Sequence, residues 1–227
     1  MNTSTDRTDP RLAVRSIVRR YHRVERAGSW LLALSIAAVA VLLILSLPFL
    51  VGVIAALGLL VLVRLPLVRR QGETRLETDA DPETVRADFE STAPPVLVFQ
   101  WGLVDVDDVT VNGETAEYEI SYLFGLRTVT MQVETIDRSA SESASSGTNR
   151  ANELELVVTV NGTEWAAYTI RIRGLEGHTV VDVVWTAEHR VDLRHLLQGV
   201  FARRYYSDAL AALGYETRMR TGSWSLK

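Results

Sequence analysis

Cysteine is absent from all 227 residues, which excludes disulfides, thiolate nucleophiles and cysteine-ligated metals. Lysine is nearly absent too: of 24 basic residues only Lys227 is lysine, and the rest are arginine. Charge of either sign is missing from Ser29 to Val63, a run of 35 residues. Recognisable serine elbows, phosphate loops and paired-carboxylate motifs are lacking as well, so no catalytic residue is assigned.

The uncharged run is long enough for a membrane. A straight helix over it would measure about 50 Å against a hydrocarbon core of about 30 Å, so two passes fit better than one. Pro48 lies near its middle, where a helix cannot continue cleanly, giving expected spans of Trp30 to Leu47 and Phe49 to Val68. Residues 1–28 carry seven arginines against Asp6, Asp9 and Glu25, net +4, and residues 64–75 carry a net +3. Basic flanks on both sides place both on the cytoplasmic side, as a hairpin requires. Residues 1–28 read as a basic amphipathic juxtamembrane helix, with Val14, Ile17, Val18 and Tyr21 on one face, fixing topology or lying on an anionic leaflet. A cleaved signal peptide is not expected, because its apolar region would be shorter.

Subtracting the two flanks from the total of −4 leaves −11 for residues 76–227. An acidic domain of this kind argues against nucleic acid as partner. Arginine in place of lysine with excess carboxylate resembles proteins of salt-loving archaea.

VTVNG occurs twice, at 109–113 and 158–162. Asn-Gly between two apolar alternating runs is a hairpin signal, since both central residues of a type I′ turn need positive φ. The repeat therefore reads as turn grammar, and the Asn161-Gly162-Thr163 sequon as unused in a cytoplasmic domain. Strands are expected at 73–78, 102–111, 114–124, 127–137, 153–160, 163–173 and 178–188. Asp81-Pro82 opens a short helix, with Val85 and Phe89 four apart on one face. The Ser-rich stretch 137–152 reads as a flexible loop, and Asp192 as the cap of a long helix ending at Gly214. Residues 215–226 read as an edge strand or a tail.

Residues 73–213 order a strand, a short helix, six antiparallel strands and a long final helix, and TRLETDADPETVRADFES opens them. This order resembles the helix-grip superfamily of START lipid-transfer domains and polyketide cyclases. The fold class expected is therefore α+β: a transmembrane helical hairpin at 29–68, then a cytoplasmic helix-grip domain at 73–227, a curved antiparallel sheet wrapped on a long C-terminal helix. The resemblance implies an apolar cavity between sheet and helix, with Tyr118, Tyr122, Met131, Tyr168, Trp185, Val200 and Phe201 as cavity candidates, though plain core is the default reading of such an alternating face. His189, Asp192 and His195 share the entry to the long helix, yet Asp192 is explained as a cap, and no metal or cofactor is expected. Asp105, Asp107 and Asp108 lack calcium-loop spacing. The function expected is non-catalytic binding of an apolar or amphipathic ligand, possibly a lipid, by a protein of the cell membrane; the lipid bilayer is the expected partner and no protein partner is named. The alternatives are an interaction module with a filled core and a cyclase-like or hydrolytic enzyme using the same cavity.

Overall fold

The computed structural model describes residues 10–65, 68–101, 109–112, 115–122, 127–138, 153–187 and 193–226. It is an α+β protein in which one eight-stranded antiparallel sheet follows a long apolar helix. Helix α1 runs unbroken from Pro10 to Ser46 and α2 from Phe49 to Arg64. The break falls at Leu47-Pro48, because proline disfavours helical backbone in the residue before it and supplies no N–H. The same chemistry ends α2 four residues before the expected end of the second span. Leu65 precedes Pro66 and is extended at φ −66°, ψ 124°, and Val68 already opens strand β1 (Val68–Thr78).

The two helices pack tightly. A Cβ on Gly52 would lie 2.7 Å from the Ile44 Cα and 2.8 Å from the Leu43 carbonyl oxygen, so α2 touches α1 backbone to backbone. Ala56, one turn on, is buried, making the small-xxx-small spacing that lets apolar helices approach closely. α1 is long and apolar enough to cross a membrane. Its uncharged part, Trp30 to Ser46, and the 16-residue α2 are each about 25 Å long.

The first turns of α1 behave differently. Val14 and Val18 are fully buried and Tyr21 nearly so, and all three face protein. They pack on α5 (Leu193–Ala212) and on the four-residue α4 (Val98–Trp101). The amphipathic face that sequence allows to lie on a leaflet is therefore part of the domain's own core, and α1 passes residues 28 and 29 without a break.

After β1, Asp81 caps α3 (Pro82–Glu90) by accepting the Thr84 N–H at 2.9 Å, with Val85 and Phe89 buried beneath. The segment VLVF, to which sequence assigned no element, forms a 3-10 turn and the start of α4, with Trp101 Nε1 donating to the Pro94 carbonyl at 2.9 Å. Strands β2 (Val109–Asn112), β3 (Thr115–Tyr122), β4 (Arg127–Asp137), β5 (Glu153–Val160), β6 (Thr163–Leu175) and β7 (His178–Ala187) form a meander. β1 pairs with β7, and β8 (Glu216–Leu226) pairs with β1 to close the order β2-β3-β4-β5-β6-β7-β1-β8. The run 215–226 is thus a full edge strand.

The two VTVNG copies are not equivalent. Asn161 and Gly162 both have positive φ, 48° and 77°, and link Val160 to its partner Thr163. In the first copy Asn112 itself pairs with Thr115, so the two-residue connection is displaced by one position, to 113–114. Asn161 is also tied to β4, its N–H donating to the Thr130 carbonyl at 2.9 Å and its Oδ1 accepting the Thr130 N–H at 3.2 Å.

Candidate functional site

Alternation assigns two faces to the sheet. The outer face is a ladder of charges: Arg75 donates to Asp182 at 2.7 Å, Arg173 joins the same carboxylate, and Arg171 meets Glu153 at 3.1 Å. Exposed pairs of this kind contribute little stability and mark a solvated surface. Burial disfavours the Asp182 carboxylate, but the Arg75 hydrogen bond and the two guanidinium charges outweigh it and hold the group below the usual carboxylate range.

The inner face is apolar in its centre. Leu154, Leu156, Val158, Ile170, Val181 and Val183 are buried there, in one core with Ala209 and Leu210 of α5. Tyr118 and Met131 belong to this packed region, and the Tyr118 hydroxyl is satisfied by the Thr92 carbonyl at 2.7 Å. Burial pushes that phenol up to about 12.

Toward β8 the inner face changes character. Tyr168 of β6 stands opposite Trp185 of β7, Trp185 opposite Gly72 of β1, and Gly72 opposite Gly222 of β8. The Trp185 indole lies over Gly72, where a Cβ would come 2.8 Å from its Nε1. At Gly222, which is exposed, the nearest atom to such a Cβ is the Gln71 carbonyl oxygen at 3.9 Å, an ordinary van der Waals contact. One row away along β8 is Arg220, opposite Thr74; one row away along β1, in the other direction, is Arg70. Both arginines share the inner face, two residues from the glycine row on either side.

Each guanidinium lies near an aromatic ring. Arg220 sits 4.3 Å from the Tyr206 ring centroid and Arg70 5.7 Å from that of Trp185, within cation–π range. Tyr206 in turn meets Phe99 at 5.7 Å, and Phe99 stacks on Tyr21 of α1 at 4.5 Å. A chain of rings therefore runs from the open end of the sheet to the long apolar helix. Burial pushes Tyr206 up to about 12, Arg220 opposing. Tyr168 is raised further, by burial and by Tyr206, against the pull of Arg220 and Arg70. Tyr21 is raised by burial and Glu25, with Arg70 again opposing. The Tyr206 hydroxyl donates to the Val96 carbonyl at 3.3 Å. One row beyond Arg220, the Thr217 hydroxyl is buried without a partner among the described residues.

Of the seven cavity candidates, the structure brings Tyr168 and Trp185 together at this end and puts Tyr118 and Met131 in the packed region. The side chains of Tyr122, Val200 and Phe201 lie outside the described residues, as do His189, Asp192, the His195 side chain, the three aspartates at 105–108 and the loop from 139 to 152. Among the described residues no group of three or more His, Asp or Glu could hold a metal ion. Sequence reasoning missed Arg70, Tyr206 and Arg220. The signal for Arg220 was alternation through 215–226, legible only once that run is taken as a strand.

No protein-family model matches the chain, and no curated protein matches it. Among solved structures it is similar to a Rhizobium loti protein, with 14% identity over 65% of this chain and 96% of that one, TM-score 0.41. A conserved protein from Geobacillus kaustophilus is 11% identical over 64% of this chain and 99% of its own, TM-score 0.38. A START superfamily protein from Mycobacterium smegmatis is 12% identical over 64% and 97%, TM-score 0.39.

Proposed function

We propose that this chain is a membrane-attached helix-grip domain that binds an apolar or amphipathic molecule, without catalysis, between the inner face of the sheet and α5. The observation that carries the reading is the change along one sheet face. Its centre is closed by packed aliphatics, whereas its β7-β1-β8 end offers an indole, a pair of facing glycines and exposed Arg220 and Gly222. A face built only to be core would have apolar side chains at those positions. In this reading α1 and α2 form a hairpin anchored from the cytoplasmic side, with the domain and both termini cytoplasmic, because the flanking segments are basic.

The full chain is the appropriate test material, since Val14 and Val18 of α1 are core residues. Purified from membranes in mild detergent, it should carry a co-purifying apolar molecule detectable by native mass spectrometry. Gly222→Leu puts a bulky side chain on the exposed end of that face, where a Cβ meets only the Gln71 carbonyl oxygen at 3.9 Å, and should displace that molecule while leaving thermal unfolding nearly unchanged. A wild-type protein that is recovered empty, and that takes up no lipid when offered it, would overturn the proposal in favour of an interaction module.

A further inference from the structure

We infer that the tip of the α1–α2 hairpin ends inside the far leaflet, covered by lipid, and presents no loop to the water beyond it; the inference rests on the membrane-attached reading above. Length is the first observation. α2 has 16 residues and so rises about 24 Å, against about 30 Å of hydrocarbon and about 40–45 Å with the headgroups included. Arg64, its last residue, ties its base to the cytoplasmic interface. Even with the Arg64 side chain reaching outward along its aliphatic stem, the tip comes to the far edge of the hydrocarbon and not through the headgroups.

The two ends of the hairpin are also unlike one another. Its base carries Arg26, Trp30, Arg64 and Arg69, the charged and amphipathic residue types that sit at a membrane–water boundary. Its tip has none of them. From Leu31 to Val63 there is no charge, no tryptophan and no tyrosine, and Ser46 is the one polar side chain after Ser35. Helices that emerge into water on both sides are enriched in such anchors at both interfaces. Only Leu47 and Pro48 connect the helices, and the residues beside them are turned outward: Leu45, Phe49 and Leu50 are 77%, 75% and 71% exposed. In water those side chains would be uncovered hydrocarbon surface, whereas acyl chains solvate them.

Backbone polarity sets the depth, since hydrocarbon offers no partner to an N–H or a carbonyl. The link itself asks for little. Pro48 has no N–H, its carbonyl accepts the Gly52 N–H at 2.9 Å, and the Leu47 N–H donates to the Leu43 carbonyl at 3.2 Å. The N–H groups of Phe49, Leu50 and Val51, by contrast, open α2 without a helical partner or a side-chain cap. The acceptors a lipid supplies on that side are the ester carbonyls of the far leaflet, so the tip stops at their level rather than at the bilayer midplane. Gly52 holds α2 against the α1 backbone one turn from the tip, which keeps the hairpin narrow enough for lipid to close over it.

The chain has no cysteine, so single-cysteine variants of the full-length protein can be labelled against a zero background. In intact cells a membrane-impermeant maleimide should leave Leu45→Cys and Phe49→Cys, at the tip, and Ala37→Cys, midway along the apolar part of α1, at the level of wild type. In opened cells it should label Ser223→Cys, on the exposed edge strand, and still none of the other three. A bimane placed on Phe49→Cys in proteoliposomes should be quenched most by phosphatidylcholine brominated near the esters. One placed on Ala37→Cys should be quenched most by phosphatidylcholine brominated near the chain ends. Labelling of Leu45→Cys or Phe49→Cys in either preparation, with Ala37→Cys unlabelled, would overturn the inference and leave membrane attachment standing. So would strongest quenching of the tip bimane by the deep bromines, or its protection from both lipids, the result that a second copy packed on the tip would give. Labelling of Ala37→Cys by the water-borne reagent, or recovery of the protein from cells without detergent, would overturn the membrane reading as well.

Discussion

Gly72 shows how one missing side chain sets the shape of the candidate site. Its Cβ would fall 2.5 Å from the Thr221 carbonyl oxygen and 2.8 Å from Trp185 Nε1, the first a backbone atom that cannot swing away. Gly72→Ala should therefore destabilise the protein by roughly 1–3 kcal/mol, the usual cost of overpacking, and shift the emission of Trp185. Thermal unfolding and fluorescence together check it, with Trp185→Phe identifying the indole. Gly162 is constrained differently: nothing crowds it, but its φ of 77° disfavours any β-branched residue. Gly162→Val should cost about 1 kcal/mol or more in unfolding free energy. Asp182 gives a pH signature. Its folded-state carboxyl titrates below its unfolded value near 4, so its contribution is present above that value and is lost as pH falls through the depressed one. Asp182→Asn should be less stable than wild type at neutral pH by under about 1 kcal/mol, the pair being largely exposed. Denaturation curves should converge as the medium is acidified below about pH 4.

Among the elements, α1 shows most clearly what a single sequence discloses and withholds. Its apolar face was legible from the spacing of Val14, Val18 and Tyr21, but the spacing does not say what covers that face, since a leaflet and a protein core demand the same residues. The structure supplies α5, Phe99 and Tyr205. Val18→Asp should then destabilise the domain by more than about 3 kcal/mol through an unpaired buried charge, whereas Leu12→Asp, on the exposed face of the same helix, should change unfolding little. The strands were legible where turn residues bound alternating runs: 127–137 and 153–160 match the structure at both ends. The helical turns over residues 95–101 were not legible, because an apolar run as short as Val96 to Phe99 suits a buried helix as well as a strand. Tyr168 and Trp185 could be placed on the inner face by period alone. Arg70 could not be recognised as a site residue, because beside the apolar run its charge was already accounted for by topology.

For the molecule as a whole, the proposed hairpin places both ends of the chain on one side of the membrane. Reporters fused at either terminus should be active only in the cytoplasm, and a C-terminal reporter active outside would remove the arrangement. The continuity of α1 then has a physical effect on encounter. There is no linker between the end buried in the domain's core and the apolar end, and the second connection is only the three residues between Arg64 and Val68. In that proposed arrangement the domain would not swivel freely on a long tether. A lipid reaching it would arrive by lateral diffusion, so occupancy would follow the number of candidate molecules per unit area of leaflet rather than per unit volume of cell.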